Sequence, residues 1–223
     1  MNKTYAVSDL HGRYDLWEKI KGHLDPTDTI YVLGDATDRG PDGWKLLKEL
    51  LADPRVKYLR GNHDQMILDS QFTDFYDTWL WFNNGGQTTY TQMTFDDDHT
   101  ISLYLNELRK KPIRETYINK NGWTVYLSHA GFTPRVRETD DNRQYLWDRD
   151  HIYDEGFFKD TEIVVHGHTP LKYLSGIYGR PNDEKTVLWY DGGHKIDIDN
   201  GCFRTGKIAI LDLDTWETHT FEV

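Results

Sequence analysis

Three short apolar runs each stop on a carboxylate or an amide and pass at once into an amphipathic pattern. That repetition constrains the fold more than any other feature of the chain. "TYAVSD" ends on Asp9 and leads into "RYDLWEKIKGHL", where Leu16, Trp17, Ile20 and Leu24 share one helical face. "DTIYVLGD" ends on Asp35 and leads into "PDGWKLLKELLAD", with Pro41 expected in the first helical turn. "VKYLRGNHD" reads as a strand closing on Asn62, His63 and Asp64, with a helix following in "QMILDS". Strand, turn and helix three times over predict a parallel sheet with crossover helices. From Ser70 to Lys111 the pattern is helical and aromatic-rich, and then strands dominate, with Asn121-Gly122 as a hairpin turn. The expectation is one α/β domain over residues 1–223, in four layers, with two mixed β-sheets packed face to face and flanked by helices.

A chain of 223 residues can bury a full core. No window approaches the roughly 20 apolar residues of a membrane span, and the N-terminus lacks the cationic head and apolar stretch of a secretory signal. The single cysteine, Cys202, excludes an internal disulfide framework and fits a reducing cytoplasm. A formal charge of -11 argues against nucleic-acid binding. An enzyme acting on an anion would then have to supply its own local positive charge. Clustered carboxylates holding divalent metal would do so.

Polar side chains of that kind gather at the predicted strand ends, the edge of an α/β sheet where ligands sit. They are Asp9 and His11 in "SDLHG", Asp35, Asp38 and Arg39 in "GDATDRG", Asn62 and His63 in "GNHD", His129 in "SHAG" and His168 in "GHTP". Carboxylate, imidazole and amide together suit a borderline ion such as Mn, Fe, Zn or Ni and disfavour calcium. The absence of ligand cysteines argues against a structural zinc site. Six potential ligands are too many for one ion that must keep a position open. Two ions about 3.5–4 Å apart, sharing a carboxylate, would use them all.

The five motifs, in this order, resemble the calcineurin-like metallophosphoesterases, and within them the phosphoprotein phosphatase branch. Looser matches continue through "WLWFNNGG", "LWDRD" and "IDIDNGC". The resemblance implies that Asp9 and His11 bind a first metal, that Asp35 bridges, and that Asn62, His129 and His168 complete the second. It implies His63 as general acid, Asp38 as the group orienting it, and Arg39 and Arg149 as phosphate ligands. The implied cofactor is a pair of divalent ions, manganese foremost, with Fe, Zn, Ni or Mg as alternatives. The implied reaction is attack of metal-bound hydroxide on the phosphorus of a phosphorylated protein or small phosphoester.

Two departures bear on these roles. Ser8 stands where the family usually has glycine and is expected to be a packing detail that touches no ligand. Asp64 stands where protein phosphatases more often carry glutamate. Aspartate there also occurs in symmetrical dinucleoside polyphosphate hydrolases, which however usually lack the counterpart of Asp38. A dinucleotide hydrolase is therefore the alternative enzyme, and a non-catalytic metal- or phosphate-binding module the alternative outside enzymes. Among the remaining residues, His166 is expected to be packed and turned away from His168. His23, His99, His151, His194 and His219 are expected at the surface, and Cys202 buried. Asp96 to Asp98 should open a helix, and the aromatics from Phe72 to Phe82 should form the core of a helical cap.

Overall fold

Alternation along the strands sends neighbouring side chains into two different cores. In β1 (Thr4–Val7), Tyr5 and Val7 join the helices outside, while Ala6 faces inward. β2 (Thr29–Val32) repeats the division, with Ile30 and Val32 outward and Tyr31 inward. The computed structural model describes residues 2–70, 74–133, 142–154, 158–174 and 186–223. β1, β2 and β3 (Val56–Tyr58) run parallel. β9 (Lys207–Asp212) and β10 (Thr218–Glu222) extend them antiparallel, giving the order β10-β9-β1-β2-β3. The second sheet runs β4-β5-β6-β8-β7, from β4 (Arg114–Ile118), β5 (Thr124–Ser128), β6 (Glu162–His166), β7 (Leu188–Tyr190) and β8 (Lys195–Asp197). Its central strands β5, β6 and β8 are parallel. Ala6, Tyr31, Leu33 and Leu59 meet Val125, Leu127, Ile163, Val165 and Ile196 between the two sheets.

Helices α1 (Tyr14–His23), α2 (Gly43–Ala52), α3 (Asn62–Ser70) and α6 (Asp98–Arg109) cover the first sheet. α7 (Asn142–Trp147) covers the second, Tyr145 and Leu146 packing on Val164. This is the expected four-layer arrangement. Tyr14, Trp17 and Lys21 of α1 all donate to the Glu49 carboxylate of α2, fastening the two helices. Asn119 to Trp123 form the expected hairpin, Gly122 taking φ 82°, and Asp97 caps α6 through the Thr100 N–H.

Several expectations need correction. Pro41 lies ahead of α2, which starts at Gly43, because Asp42 is the N-cap, with non-helical φ -119° and ψ 29°, and its C=O accepts the first helical bond from Leu46 N–H. α3 starts on Asn62 itself, so the third motif is a helix start and not a strand end. In α4 (Phe75–Trp81) only Trp81 is buried, whereas Phe75, Tyr76 and Trp79 are 86%, 64% and 52% exposed. Seven residues of helix packed on one side leave the opposite face to solvent. Phe72 lies outside the described residues. His151 is buried, because a 3₁₀ turn at Asp150–Ile152 tucks its ring against His166 at 4.8 Å. His166 itself is packed as expected, with Nε2 2.6 Å from the Tyr190 hydroxyl.

Candidate active site

The strand ends are held in a backbone conformation that few side chains adopt. Asp9, His11, Asp35, Asp38, Arg39 and His168 all have positive φ, between 40° and 70°. Each such residue costs about 1–3 kcal/mol and persists only where its surroundings dictate it. Main-chain bonds between neighbouring turns do so here: His11 N–H to Asp35 C=O at 2.9 Å and Gly12 N–H to Ala36 C=O at 2.7 Å. A five-residue π-helical turn, Phe82–Gly86, offers its Gly85 C=O to the Arg39 N–H at 3.1 Å. Close approach makes two glycines obligatory. A Cβ on Gly61 would fall 2.1 Å from Asp35 Oδ1, and one on Gly167 would fall 2.1 Å from Ser8 Oγ.

These turns bring every residue singled out from the motifs to one edge of the two sheets. Asp35 is the hub. Its Oδ2 lies 3.3 Å from His129 Nε2, 3.9 Å from His11 Nε2 and 4.0 Å from His63 Nε2. His11 Nε2 lies 3.6 Å from Asp9 Oδ1. Asn62 Oδ1 sits between His129 Nε2 at 2.8 Å and His168 Nδ1 at 3.1 Å. Two buried trios have ligand atoms within 4.8 Å of one another: His11, Asp35 and His63, and Asp9, Asp35 and His129. Both contain Asp35.

The imidazoles are fixed by their outward nitrogens. His11 Nδ1 bonds Thr37 C=O at 2.9 Å and His129 Nδ1 bonds Leu33 C=O at 2.7 Å. That leaves each Nε2 directed at the centre, the orientation a metal-ligating histidine requires. His63 differs, its Nδ1 facing the buried Asp38 carboxylate at 2.7 Å. Arg39 reaches across both groups, donating to His11 Nε2 at 2.7 Å and His63 Nε2 at 2.8 Å. Arg149 stands beside His168, its Nε donating to Thr169 Oγ1 at 3.3 Å.

Electrostatics agree with a cation site. Burial opposes ionisation of Asp35, yet the imidazoles around it hold its carboxyl well below the usual range. Burial likewise opposes protonation of His129, but the charges of Asp35 and Asp9 push it up to about 10. For His63, burial lowers the pKa while Asp35 and Asp38 push back. Two anionic carboxylates, oriented imidazole nitrogens and an amide oxygen are donors that fit divalent transition ions.

Three neighbours were not anticipated. Trp81 Nε1 donates to both oxygens of Asp38, at 3.1 and 2.9 Å, and so clamps the group that orients His63. Ser8 Oγ donates to Asp9 Oδ2 at 2.5 Å, correcting the expectation that it touches no ligand residue. Asp9 Oδ2 also accepts the His168 N–H at 2.9 Å, which leaves Oδ1 for the centre. Asp64 is turned away from the cavity altogether, fully buried with its carboxylate on main-chain N–H groups. Burial and the charge of Asp35 push it up to about 7. An acid two residues into α3 that reaches back to Gly61 N–H has the geometry of half a capping box, a signal present in the sequence.

Fold and site together define a metallophosphoesterase. The calcineurin-like phosphoesterase family model matches residues 3–197, and the chain belongs to that family. It is 30% identical over 216 residues to serine/threonine-protein phosphatase 2 of Escherichia coli, covering 94% of this chain and 92% of that protein. It is 30% identical over 177 residues to serine/threonine-protein phosphatase 1 of Salmonella typhimurium, covering 76% and 79%. A symmetrical bis(5'-nucleosyl)-tetraphosphatase of Legionella pneumophila is 26% identical over 200 residues, covering 84% of this chain but 59% of that one. A metallophosphoesterase structure from Sphaerobacter thermophilus superposes with a TM-score of 0.61 at 19% identity, over the whole of this chain and 88% of that one. The protein is a metal-dependent phosphatase of this family, related to the bacterial serine/threonine phosphatases. Among the described residues no helix is long and apolar enough to cross a membrane.

Proposed function

We propose that the chain hydrolyses phosphoserine and phosphothreonine esters in proteins, in the cytoplasm, with two manganese ions as cofactor. Asp9 and His11 would hold one ion, Asn62, His129 and His168 the other, and Asp35 both. When bound, the ions would concentrate positive charge on the phosphate and lower the pKa of a coordinated water. Arg39, beside His11 and His63, and Arg149, beside Thr169, take the peripheral phosphate oxygens through charge-assisted bonds and align the ester. His63 delivers a proton to the departing seryl or threonyl oxygen, with Asp38 fixing the ring that carries it.

The observation that carries this reading is the Asp38–His63 pair, 2.7 Å apart and buried, clamped by Trp81. Asp38 is the motif residue that favours protein phosphatases over dinucleotide hydrolases. Asp64, which pointed the other way, touches main chain and not substrate space. The test is a comparison of phosphoserine and phosphothreonine peptides with dinucleoside tetraphosphates at equal Mn concentration. Faster turnover of the peptides is expected, and a preference for the dinucleotide would replace this reading with the alternative. His63→Asn should lower kcat by about 100- to 10,000-fold while metal content is kept.

A further inference from the structure

We propose that Tyr58 and Asp64 form a positioning pair for the carboxylate of Asp35, an inference that rests on the two-metal reading above. Asp35 has φ 56° and carries the oxygen around which the site is arranged. Two successive main-chain N–H groups hold that turn. Asp35 N–H donates to Asp64 Oδ2 at 3.1 Å, and Ala36 N–H donates to the Tyr58 hydroxyl at 3.3 Å. The two acceptors are themselves joined, Tyr58 O–H donating to Asp64 at 2.9 Å. Gly61 N–H, at 2.8 Å, anchors Asp64 to the start of α3. A return bond closes the arrangement: His63 N–H donates to Asp35 Oδ1 at 2.9 Å. One carboxylate oxygen is thereby fixed, and the other is aimed at His129, His11 and His63.

Every group in this circuit is buried, so no water replaces a lost partner. Neither Tyr58 nor Asp64 reaches the cavity, and both act through Asp35. A metal ligand has to be held within about 0.5 Å of its productive place, and about 1 Å of misplacement costs on the order of 100-fold in rate. Freeing the Ala36 N–H would let the turn relax toward ordinary φ and swing Oδ2 off the centre. The pair also explains the aspartate at position 64 without reference to substrate: it matches a tyrosine at the end of β3, three residues before Gly61.

Tyr58→Phe removes one oxygen and keeps the ring. Tyr31→Phe is the matched control, since its hydroxyl, 3.1 Å from Lys57 Nζ on the same sheet, has no bond to the Asp35 turn. Mn titration by calorimetry and electron paramagnetic resonance of the Mn-loaded protein are the readouts, alongside melting temperature. Wild type should bind two Mn per chain with the exchange-coupled spectrum of ions sharing a carboxylate. Tyr58→Phe should weaken one of the two sites about 10-fold and alter the coupling, while Tyr31→Phe matches wild type in both. Asp64→Ala, which removes the one oxygen that accepts from both the Asp35 and the Gly61 N–H, should act in the same direction and more strongly. Equal Mn affinity and coupling in Tyr58→Phe and Tyr31→Phe overturn the inference alone. Wild type holding fewer than two ions overturns the two-metal reading, and the inference with it.

Discussion

His166 and His168 are separated by one glycine, yet they belong to two different assemblies of imidazoles. His168 joins His11, His63 and His129 around Asp35. His166 stacks edge-on against His151 and Tyr190, behind the site. Both groups are buried and both are rich in nitrogen. They differ in what the second ring nitrogen meets. In the first group, main-chain carbonyls or Asp38 take the outward nitrogens of His11, His129 and His63, so that Nε2 faces the centre, where Arg39 donates to those of His11 and His63. In the second, Gly167 C=O and the Tyr190 hydroxyl take both nitrogens of His166, and its pKa is driven well down by burial. What marks the first group is the shared Asp35 carboxylate, which three of its Nε2 atoms face.

The comparison breaks most severely at its hub. Asp35→Asn should lower kcat/KM on the order of 1,000-fold or more and reduce bound Mn below two per chain by elemental analysis. Retention of both ions would show that Asp35 is not shared. His166→Phe is the counterpart in the other cluster. It should leave Mn stoichiometry at the wild-type value and cost about 1 kcal/mol in urea unfolding, through loss of the hydrogen bond between the ring and the Tyr190 hydroxyl. Loss of metal in that variant would erase the distinction between the two assemblies.

A third and smaller effect lies away from both, at the α1–α2 fastening. Burial raises the Glu49 pKa, but bonds from Lys21, Tyr14 and Trp17 outweigh it and leave the group below its usual 4.5. A depressed carboxylate contributes stability above its unfolded pKa and loses it as pH falls through the folded value. Glu49→Gln should therefore cost about 1 kcal/mol at pH 7. The gap in melting temperature should close below pH 4, and an undiminished gap there would assign the effect to packing.

The layers and the clustering of polar side chains at the strand ends were legible because they depend on local order: apolar alternation, helical faces, and glycine beside each polar strand end. What the motifs concealed was direction. Ser8 and Asp9 are adjacent, but the bond between them matters only because Gly167, far along the chain, lets the second sheet close on it. Asp64 reads as a motif residue beside His63, and its turn away from the cluster is set by Tyr58 and by a helix that starts three residues earlier than the pattern indicates. His151 looks like surface until a 3₁₀ turn folds it under Gly131. Phe75, Tyr76 and Trp79 read as core because composition does not say which face of a short helix has a neighbour.

The site is divided between sheets that share no strand pairing. Asp9, His11, Asp35 and Asn62 precede residue 110, whereas His129 and His168 arrive only with the second sheet, whose Gly167 N–H then bonds His129 C=O. The first sheet is itself finished by β9 and β10, with β9 paired to β1, so neither part of the cluster is in place before the C-terminal strands have joined it. Under the function proposed above, turnover in this architecture doubles as a report that the whole polypeptide has reached its native arrangement.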